Sequence, residues 1–227
     1  MLFRSSVTLP FLHRTVGQAA FVDGYGMVEL GGGVVTRLFP PGPPLPIKPM
    51  VRAMPGNKLR VVDDEGHDVR RGQVGELMVK GRSTMRGYHG QADETAAAMD
   101  QEGWLRTGDL VRQRWGGFFE FAGRKKDVIK HGGYSVFAVE VEQALREHPA
   151  VTEAAVIGIP DSRKGEIPAA VVLLEPGAQV AEEELIGWAR ERLADYKVPR
   201  QVRFVDELPR TGTEKVRKAS LKDLFQA

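Results

Sequence analysis

The stretch GRKKDVIKHGG, residues 123–133, concentrates cationic side chains that could bind a ligand. It sets four Lys or Arg residues against one Asp and closes on two glycines. Such a group can bind a polyanion, form an ordinary solvated turn, or be a working part of the protein's mechanism. The residue types alone leave these three alternatives open.

The charge balance of the whole chain argues against a polyanion-binding surface. Its 227 residues include 32 Lys and Arg against 30 Asp and Glu, a formal net charge of +2. Before Gly123 there are 15 basic and 13 acidic residues, and from Gly123 onward there are 17 of each. Nucleic-acid-binding domains usually carry a sustained basic stripe. The cluster is therefore local, and we expect no nucleic-acid partner.

Cysteine chemistry, a structural zinc site and a membrane anchor are all disfavoured. The chain has no cysteine, and its five histidines are scattered without a His-x-x-x-His pair, so the usual zinc ligands are missing. The N-terminal 24 residues contain Arg and His within their apolar run, which predicts neither a signal peptide nor a membrane span. We expect a cytoplasmic protein.

The residues before Gly123 are predicted to be mainly β-structure. A helix begins near Thr8, the proline-rich residues 40–49 form no regular element, and a short helix lies near 93–99. Residues 58–69 predict two strands joined by a turn at Gly66. Strand patterns also occupy residues 20–23, 74–81, which alternate apolar and polar with period two, and 110–123, a hairpin turning at Gly116–Gly117.

After Gly123 the pattern changes to alternating strands and helices. Helical spacing of apolar residues predicts amphipathic helices over 138–147 and 182–194. Short apolar runs at 153–160 and 168–177 predict buried strands, YSVF predicts a strand after Gly133, RQVRFVDELP predicts another, and KASLKDLF predicts a closing helix. About a hundred residues of this kind suffice for a small domain. GRKKD therefore lies at the joint between two domains, 1–123 and 124–227.

Four short stretches carry a family resemblance: GYGMVE (24–29), WLRTGDL (104–110), GRKKDVIKHGGYSVFAVEVE (123–142) and LPRTGTEKVRK (208–218). Their order and spacing resemble the adenylate-forming superfamily of acyl-CoA synthetases, nonribosomal adenylation domains and luciferases. The resemblance covers nearly the whole chain, and four motifs in order are far more specific than one. It implies an α+β fold, with a β-rich remnant of the large N-terminal domain followed by a small mobile α/β domain.

The resemblance assigns nucleotide-binding and catalytic roles to individual residues. Lys215 matches the lysine that bridges the carboxylate and the phosphate as charge shifts between them. Asp109 matches the aspartate that binds the ribose, and Tyr25, with Gly26 beside it, matches the aromatic that packs against adenine. Glu29 matches the glutamate that helps to hold Mg²⁺. By residue type alone, each is equally an ordinary surface, turn or core residue.

The same resemblance gives the opening stretch a mechanical role. Arg124 matches an arginine that helps to hold the nucleotide. Lys126 matches the hinge about which the small domain rotates between two half-reactions, and hinges need few packed contacts. Gly132 and Gly133 match the segment that lines the pantetheine tunnel, where glycine lets the backbone approach a ligand. An ordinary turn before YSVF is the plainer alternative for the glycines.

Two departures from the family pattern bear on activity. Val28 stands where the family usually has threonine, whose hydroxyl contacts the α-phosphate, and Glu214 stands where it usually has glycine before the lysine. A lost hydrogen bond to a charged group costs about 1.5–3 kcal/mol of binding. The family's Ser/Thr/Gly-rich phosphate loop has no counterpart here, and Gly31–Gly33 has no following lysine.

These observations predict the C-terminal portion of an acyl-CoA synthetase, incomplete for catalysis alone. Its substrates would be a fatty or medium-sized carboxylic acid, ATP with Mg²⁺, and coenzyme A. Three explanations for the missing N-terminal portion stay open: the sequence is a piece of a longer chain, the gene is truncated, or the portion is a separate subunit. An adenylation domain that serves a carrier protein is a close alternative. A non-catalytic remnant that binds a partner chain or a nucleotide is an alternative of another class.

Overall fold

The computed structural model describes residues 21–39, 50–212 and 215–225. Contacts divide the chain between Ala122 and Gly123 into two compact units, which we call the N-terminal and C-terminal units. Each unit has its own β-sheet and its own hydrophobic core, and the expected α+β class is confirmed. The predicted helix near Thr8 and the proline-rich segment 40–49 lie outside the described residues.

The N-terminal unit is built on a seven-stranded sheet with the strand order β1-β2-β3-β7-β6-β5-β4. A single short α-helix, α1 (Ala92–Ala98), appears in its described part, close to the predicted position. The strands are β1 (Phe21–Met27), β2 (Gly32–Phe39), β3 (Met50–Ala53), β4 (Asn57–Val62), β5 (Val74–Gly81), β6 (Leu105–Gln113) and β7 (Phe118–Arg124).

The strands predicted at 20–23, 74–81 and 110–123 are present, whereas the second strand predicted within 58–69 is wrong. Strand β5 lies where it was predicted, and β6 and β7 turn around Trp115–Gly117. The second strand of 58–69 is reduced to an isolated bridge between Val62 and Asp68. Asp63 explains the difference, because its side chain accepts a 2.8 Å bond from the His67 amide. Such a local bond holds the segment as a turn and competes with strand pairing.

The C-terminal unit is a five-stranded sheet flanked by helices. Its strands follow the order β10-β11-β8-β9, and β12 pairs in parallel with β11. The strands are β8 (Val128–His131), β9 (Tyr134–Phe137), β10 (Val151–Asp161), β11 (Gly165–Leu174) and β12 (Gln201–Phe204). The α-helices are α2 (Ala138–Arg146) and α3 (Glu182–Arg190), so α3 ends before the predicted residue 194.

Both faces of β10 and β11 are buried, which explains their continuous apolar sequences. On one face Val156 and Val172 pack with Leu145 of α2 and Leu185 of α3. On the other face a second cluster forms around Leu221. This residue belongs to the closing segment Lys218–Phe225, which is a 3-10 helix. The segment has only eight residues, and over so short a length helix propensity does not determine which type of helix forms.

No helix in the described ranges is long and apolar enough to cross a membrane.

Candidate functional site

Two of the predicted nucleotide-binding residues meet in the N-terminal unit. The Tyr25 hydroxyl, on β1, donates a 2.8 Å hydrogen bond to Oδ2 of Asp109, on β6. Both side chains are buried, with Asp109 only 4% exposed. Three strands separate β1 from β6 in the sheet order, so the sheet must curl to bring two residues 84 positions apart into contact.

A bulge in β6 turns Asp109 into the core. Glu76 pairs with Leu110 and Met78 pairs with Arg106, so Thr107, Gly108 and Asp109 together oppose the single residue between them on β5. The Thr107 hydroxyl donates to the Leu77 carbonyl at 2.8 Å, and Gly108 has a φ of 69°, which glycine adopts without strain. Bulges of this kind re-aim side chains next to functional sites.

Glu76 stabilises the bulge through buried contacts, a role that was not predicted from the sequence. It is 4% exposed, its Oε1 accepts the Gly108 amide at 3.2 Å, and its Oε2 lies 3.2 Å from Arg106. The predicted period-two alternation of β5 is also wrong. Its residues do not alternate between buried and exposed, because residues 75–79 are all buried. A lone acid within an apolar strand was the signal that could have identified it.

The predicted metal ligand Glu29 contacts a residue that the motifs did not include. The Tyr88 hydroxyl donates to Oε1 of Glu29 at 3.0 Å, and this hydrogen bond, together with some burial and the carboxylate charge, raises the pKa of Tyr88 above its ordinary value. Glu29 lies in a 3-10 turn, Val28–Leu30. Val28 in that turn is 93% exposed, and Gly26 is also exposed.

Glu29 fits a role as one ligand of Mg²⁺ rather than as part of a protein cage. Among the residues that the structure describes, no three His, Cys, Asp or Glu side chains gather to hold a metal. Mg²⁺ usually binds through one or two carboxylates together with substrate phosphates and water. A single, partly exposed carboxylate therefore suits an ion that arrives with a nucleotide.

The start of the C-terminal unit places its predicted site residues on the surface. Arg124 ends β7, and Lys126 lies in the following 3-10 turn, Lys125–Asp127; both side chains are exposed. Gly132 and Gly133 form the turn between β8 and β9, with φ values of 56° and 84°. Two consecutive positive φ angles suit a tight hairpin turn and favour glycine. A Cβ at Gly133 would meet nothing within 4 Å.

Lys215 is exposed near the tip of a hairpin-like loop. The Thr211 amide donates to the Lys215 carbonyl at 2.7 Å, and the Lys215 amide donates back to the Thr211 hydroxyl at 3.3 Å. An isolated bridge between Arg210 and Val216 closes the loop. The departure at Glu214 lies outside the described residues.

Comparisons with known families place both halves of the chain in one group. The sequence model described as "AMP-binding enzyme" matches residues 5–89. The model described as "AMP-binding enzyme C-terminal domain" matches residues 140–215. The two matches fall on either side of the division between the units and in the order in which their descriptions place them.

Similar proteins include two ligases and one solved structure. A feruloyl-CoA synthase from Amycolatopsis sp is 38% identical over 218 residues, which is 91% of this chain and 42% of that protein. A long-chain-fatty-acid–CoA ligase from Bacillus subtilis is 49% identical over 142 residues, 63% of this chain and 25% of that protein. MatB from Rhodopseudomonas palustris, solved with ATP bound, has a TM-score of 0.82 at 32% identity.

The matches cover much of this chain but less than half of each relative. The MatB match covers 90% of this chain and 40% of the MatB chain. The chain thus spans about two fifths or less of the length of each of these three proteins.

Proposed function

The chain belongs to the adenylate-forming superfamily, and from that membership we propose that it forms the C-terminal portion of an ATP-dependent acyl-CoA ligase. In this proposal the enzyme joins a carboxylic acid to AMP and then transfers the acyl group to coenzyme A. The chain works together with an N-terminal portion, in the same polypeptide or as a separate subunit. We place the enzyme in the cytoplasm.

The contact between Tyr25 and Asp109 is the observation that supports the proposal most. The family resemblance assigns one residue to the adenine and the other to the ribose of a single nucleotide. Their side chains lie 2.8 Å apart, although the residues come from distant parts of the sequence. Buried hydroxyls and carboxylates pair in ordinary cores as well, so the support comes from the agreement of this contact with the two assigned roles. The ribose hydroxyls would donate to the Asp109 carboxylate beside the Tyr25 hydroxyl or in its place.

In the first half-reaction, Lys215 would supply the positive charge that stabilises the transition state. A carboxylate oxygen of the acid attacks the α-phosphorus of ATP, and the bond to the departing pyrophosphate breaks. Negative charge builds between two groups that repel each other, so a compact cation stabilises the transition state. Lys215 suits this role because its side chain is exposed and a lysine carries a compact cation on a long stem. Arg124 adds a second cation for the nucleotide.

Glu29 would hold Mg²⁺ together with the nucleotide phosphates. The bound ion would neutralise phosphate charge during the first half-reaction. Tyr88 already occupies one oxygen of this carboxylate, so it fixes the orientation of Glu29. Val28, at the neighbouring position, supplies no hydroxyl to the α-phosphate, and we expect weaker nucleotide binding than in a relative with threonine.

The second half-reaction involves the turn between β8 and β9. The thiol of coenzyme A attacks the acyl carbonyl, and AMP leaves. We propose that Gly132 and Gly133 line the path of the pantetheine arm, where a side chain would narrow it, and that Lys126 is the hinge between the half-reactions. We also propose a fatty or medium-sized acid as the substrate. Ligation of a fatty acid is named for the Bacillus subtilis relative.

The proposal is tested with an enzyme in which the N-terminal part of the Amycolatopsis feruloyl-CoA synthase is joined to this chain. We expect acid-dependent exchange between ATP and pyrophosphate, and formation of the CoA thioester. The 227-residue chain alone should show no exchange, because it carries no phosphate loop. Exchange by the chain alone, or none by the joined enzyme while the parent synthase is active, would contradict the proposal.

A matched pair of glycine variants tests the second half-reaction. Gly133→Leu and Gly177→Leu carry similar backbone strain, since φ is 84° and 80° and neither Cβ meets a neighbour within 4 Å. In the joined enzyme Gly133→Leu should slow thioester formation from a supplied acyl-adenylate by at least about tenfold, since a misplaced substrate commonly costs up to 10²-fold. It should spare pyrophosphate exchange, and Gly177→Leu should leave both rates unchanged. Equal slowing by both variants would mean that strain, not the pantetheine path, is responsible.

A further inference from the structure

The loop that carries Lys215 is tied to the C-terminal sheet on its N-terminal side by a buried ion pair. Arg210 Nη2 lies 2.6 Å from Oε2 of Glu153 on β10. Glu153 is only 3% exposed, whereas the Arg210 side chain is one-third exposed. The carboxylate is thus fixed in the sheet and holds the arginine that begins the loop.

A second pair holds the other side of the same loop. Lys218 Nζ lies 2.7 Å from Oε1 of Glu142 on α2 and donates to the Val156 carbonyl at 3.1 Å. Oε1 of Glu142 also accepts the Val156 amide at 3.0 Å. Glu142 is therefore oriented by the backbone of β10, and it contacts Lys218 where the 3-10 helix begins.

These two pairs bracket Lys215 closely. Arg210 lies five residues before it and Lys218 three residues after it. Within the loop the Thr211 amide donates to the Lys215 carbonyl, and across its base the Arg217 amide donates to the Pro209 carbonyl, both at 2.7 Å. The base of the loop is thereby fixed on both sides, while the side chain of Lys215 is exposed.

General stabilisation explains this arrangement poorly. Burying a carboxylate costs solvation, and a buried ion pair usually stabilises a fold no better than well-packed apolar residues would. The buried neighbours of Glu142 on α2 and of Glu153 on β10 are mainly apolar, so apolar residues at these two positions would suit the core. Charged partners instead impose a defined geometry on the cations they bind, and here those cations flank Lys215.

We propose that Glu153 with Arg210, and Glu142 with Lys218, are positioning pairs that set the reach and direction of Lys215 in adenylate formation. The inference rests on the proposed function, because it assigns these pairs to the half-reaction that Lys215 serves. None of the four residues needs to touch the substrate. A misplacement of about 1 Å at a catalytic group can cost about 10²-fold in rate.

The test uses Glu153→Gln and Glu142→Gln in the joined enzyme, because glutamine keeps the size of the side chain and removes the charge. We expect kcat for pyrophosphate exchange to fall about tenfold in each variant and about 10²-fold in the double variant. KM for ATP and for the acid should stay nearly constant. Thioester formation from a supplied acyl-adenylate should also be unchanged.

Two controls separate positioning from stability. Leu185→Ala removes a fully buried side chain of α3 from the core that it shares with Leu145 of α2. This variant should lower Tm without changing the ratio of the two half-reactions. Arg210→Met should reproduce the loss seen in Glu153→Gln, whereas Arg210→Lys keeps a cation and should recover part of the rate. Recovery by lysine is not expected of a residue that merely fills space.

Amide hydrogen exchange of the 227-residue chain gives an independent measurement. The Thr211 and Lys215 amides should exchange faster in both glutamine variants, while the Ala170 and Val171 amides of β11 should not. If the joined enzyme without substitutions forms no adenylate, the proposed function fails, and the exchange rates alone decide whether the pairs order the loop. The inference is overturned if those rates are unchanged, or if the glutamine variants slow both half-reactions equally.

Discussion

Asp109 and Lys215 are both charged residues with a role in the proposed reaction, and the structure supports them in opposite ways. Asp109 is buried, and its neighbours contact it directly: Tyr25 binds its side chain and Glu76 binds the adjoining backbone. Lys215 is exposed, and only the loop on either side of it is fixed. A substitution at Asp109 should therefore disturb both the fold and the site, whereas one at Lys215 should disturb only the chemistry.

The physical reason for the difference lies in the ligand that each residue would meet. A ribose is neutral, and a buried carboxylate with fixed hydrogen bonds can select its paired hydroxyls. A lysine that bridges two anions must remain charged until they arrive, and burial would disfavour the charged form. Exposure keeps the Lys215 side chain accessible to its ligands, and anchoring of the loop supplies the precision that burial supplies for Asp109.

The largest expected effect is that of Lys215→Ala in the joined enzyme. Loss of a preorganised charge typically costs about 10²–10³ in rate, so pyrophosphate exchange should fall by that factor while Tm stays constant. Thioester formation from a supplied acyl-adenylate should persist. Lys222→Ala, at an exposed lysine of the 3-10 helix, is the control and should change neither rate. A large drop in Tm for Lys215→Ala would remove the contrast with Asp109.

Asp109→Asn should give a smaller kinetic effect but a measurable loss of stability. Loss of hydrogen bonds to a charged acceptor costs about 1.5–3 kcal/mol, which corresponds to a rise in KM for ATP of about 10–150-fold. Tm should also fall, because the buried Tyr25 hydroxyl loses a charged acceptor. Denaturation curves and initial rates would measure both.

Tyr25→Phe provides the control for Asp109→Asn. It keeps the ring and removes only the hydroxyl, so it should lower Tm and change KM for ATP less than Asp109→Asn does. If Asp109→Asn lowers Tm and leaves KM for ATP unchanged, Asp109 is a core residue without a role in nucleotide binding.

Local patterns predicted the elements and motifs but not the contacts that connect them. The apolar runs identified β10 and β11, and helical spacing identified α2, because these signals lie within each segment. Motif matches predicted roles for Asp109 and Lys215, and these roles stay predictions. Nothing local indicated that Tyr25 reaches Asp109, since the curl of a seven-stranded sheet joins residues 84 positions apart.

The anchoring residues were missed for a related reason. No local pattern distinguishes Glu142, within the predicted helix 138–147, or Glu153, at the start of the predicted strand 153–160. Their importance depends on Lys218 and Arg210, which lie 76 and 57 positions away. Pairing at such distances is decided by tertiary packing, which a pattern within one segment does not encode.

Val28→Thr tests whether a substitution at another exposed position changes the kinetics without changing Tm, as we expect at Lys215. Val28 is 93% exposed, so a hydroxyl there should carry no burial cost. A new hydrogen bond to the α-phosphate should lower KM for ATP by about tenfold, at the lower end of what a charged hydrogen bond contributes. Tm should not change. Val28→Ala, which adds no hydroxyl, is the control, and an equal gain in that variant would count against the phosphate contact.

The smallest expected effect concerns Glu29, which is neither buried like Asp109 nor at a loop tip like Lys215. Its hydrogen bond raises the pKa of Tyr88, so the folded chain holds the phenol proton more tightly than the unfolded chain does. This stabilisation is fully present below the ordinary tyrosine pKa of about 10 and is lost as pH rises through the raised value.

A difference titration of tyrosinate absorbance between the parent and Tyr88→Phe should isolate this late ionisation. Glu29→Gln should bring it closer to the ordinary value, because glutamine accepts a weaker hydrogen bond and carries no charge. If the ionisation stays late in Glu29→Gln, then Glu29 does not control Tyr88, and the claim that Tyr88 orients the metal-binding carboxylate loses its support.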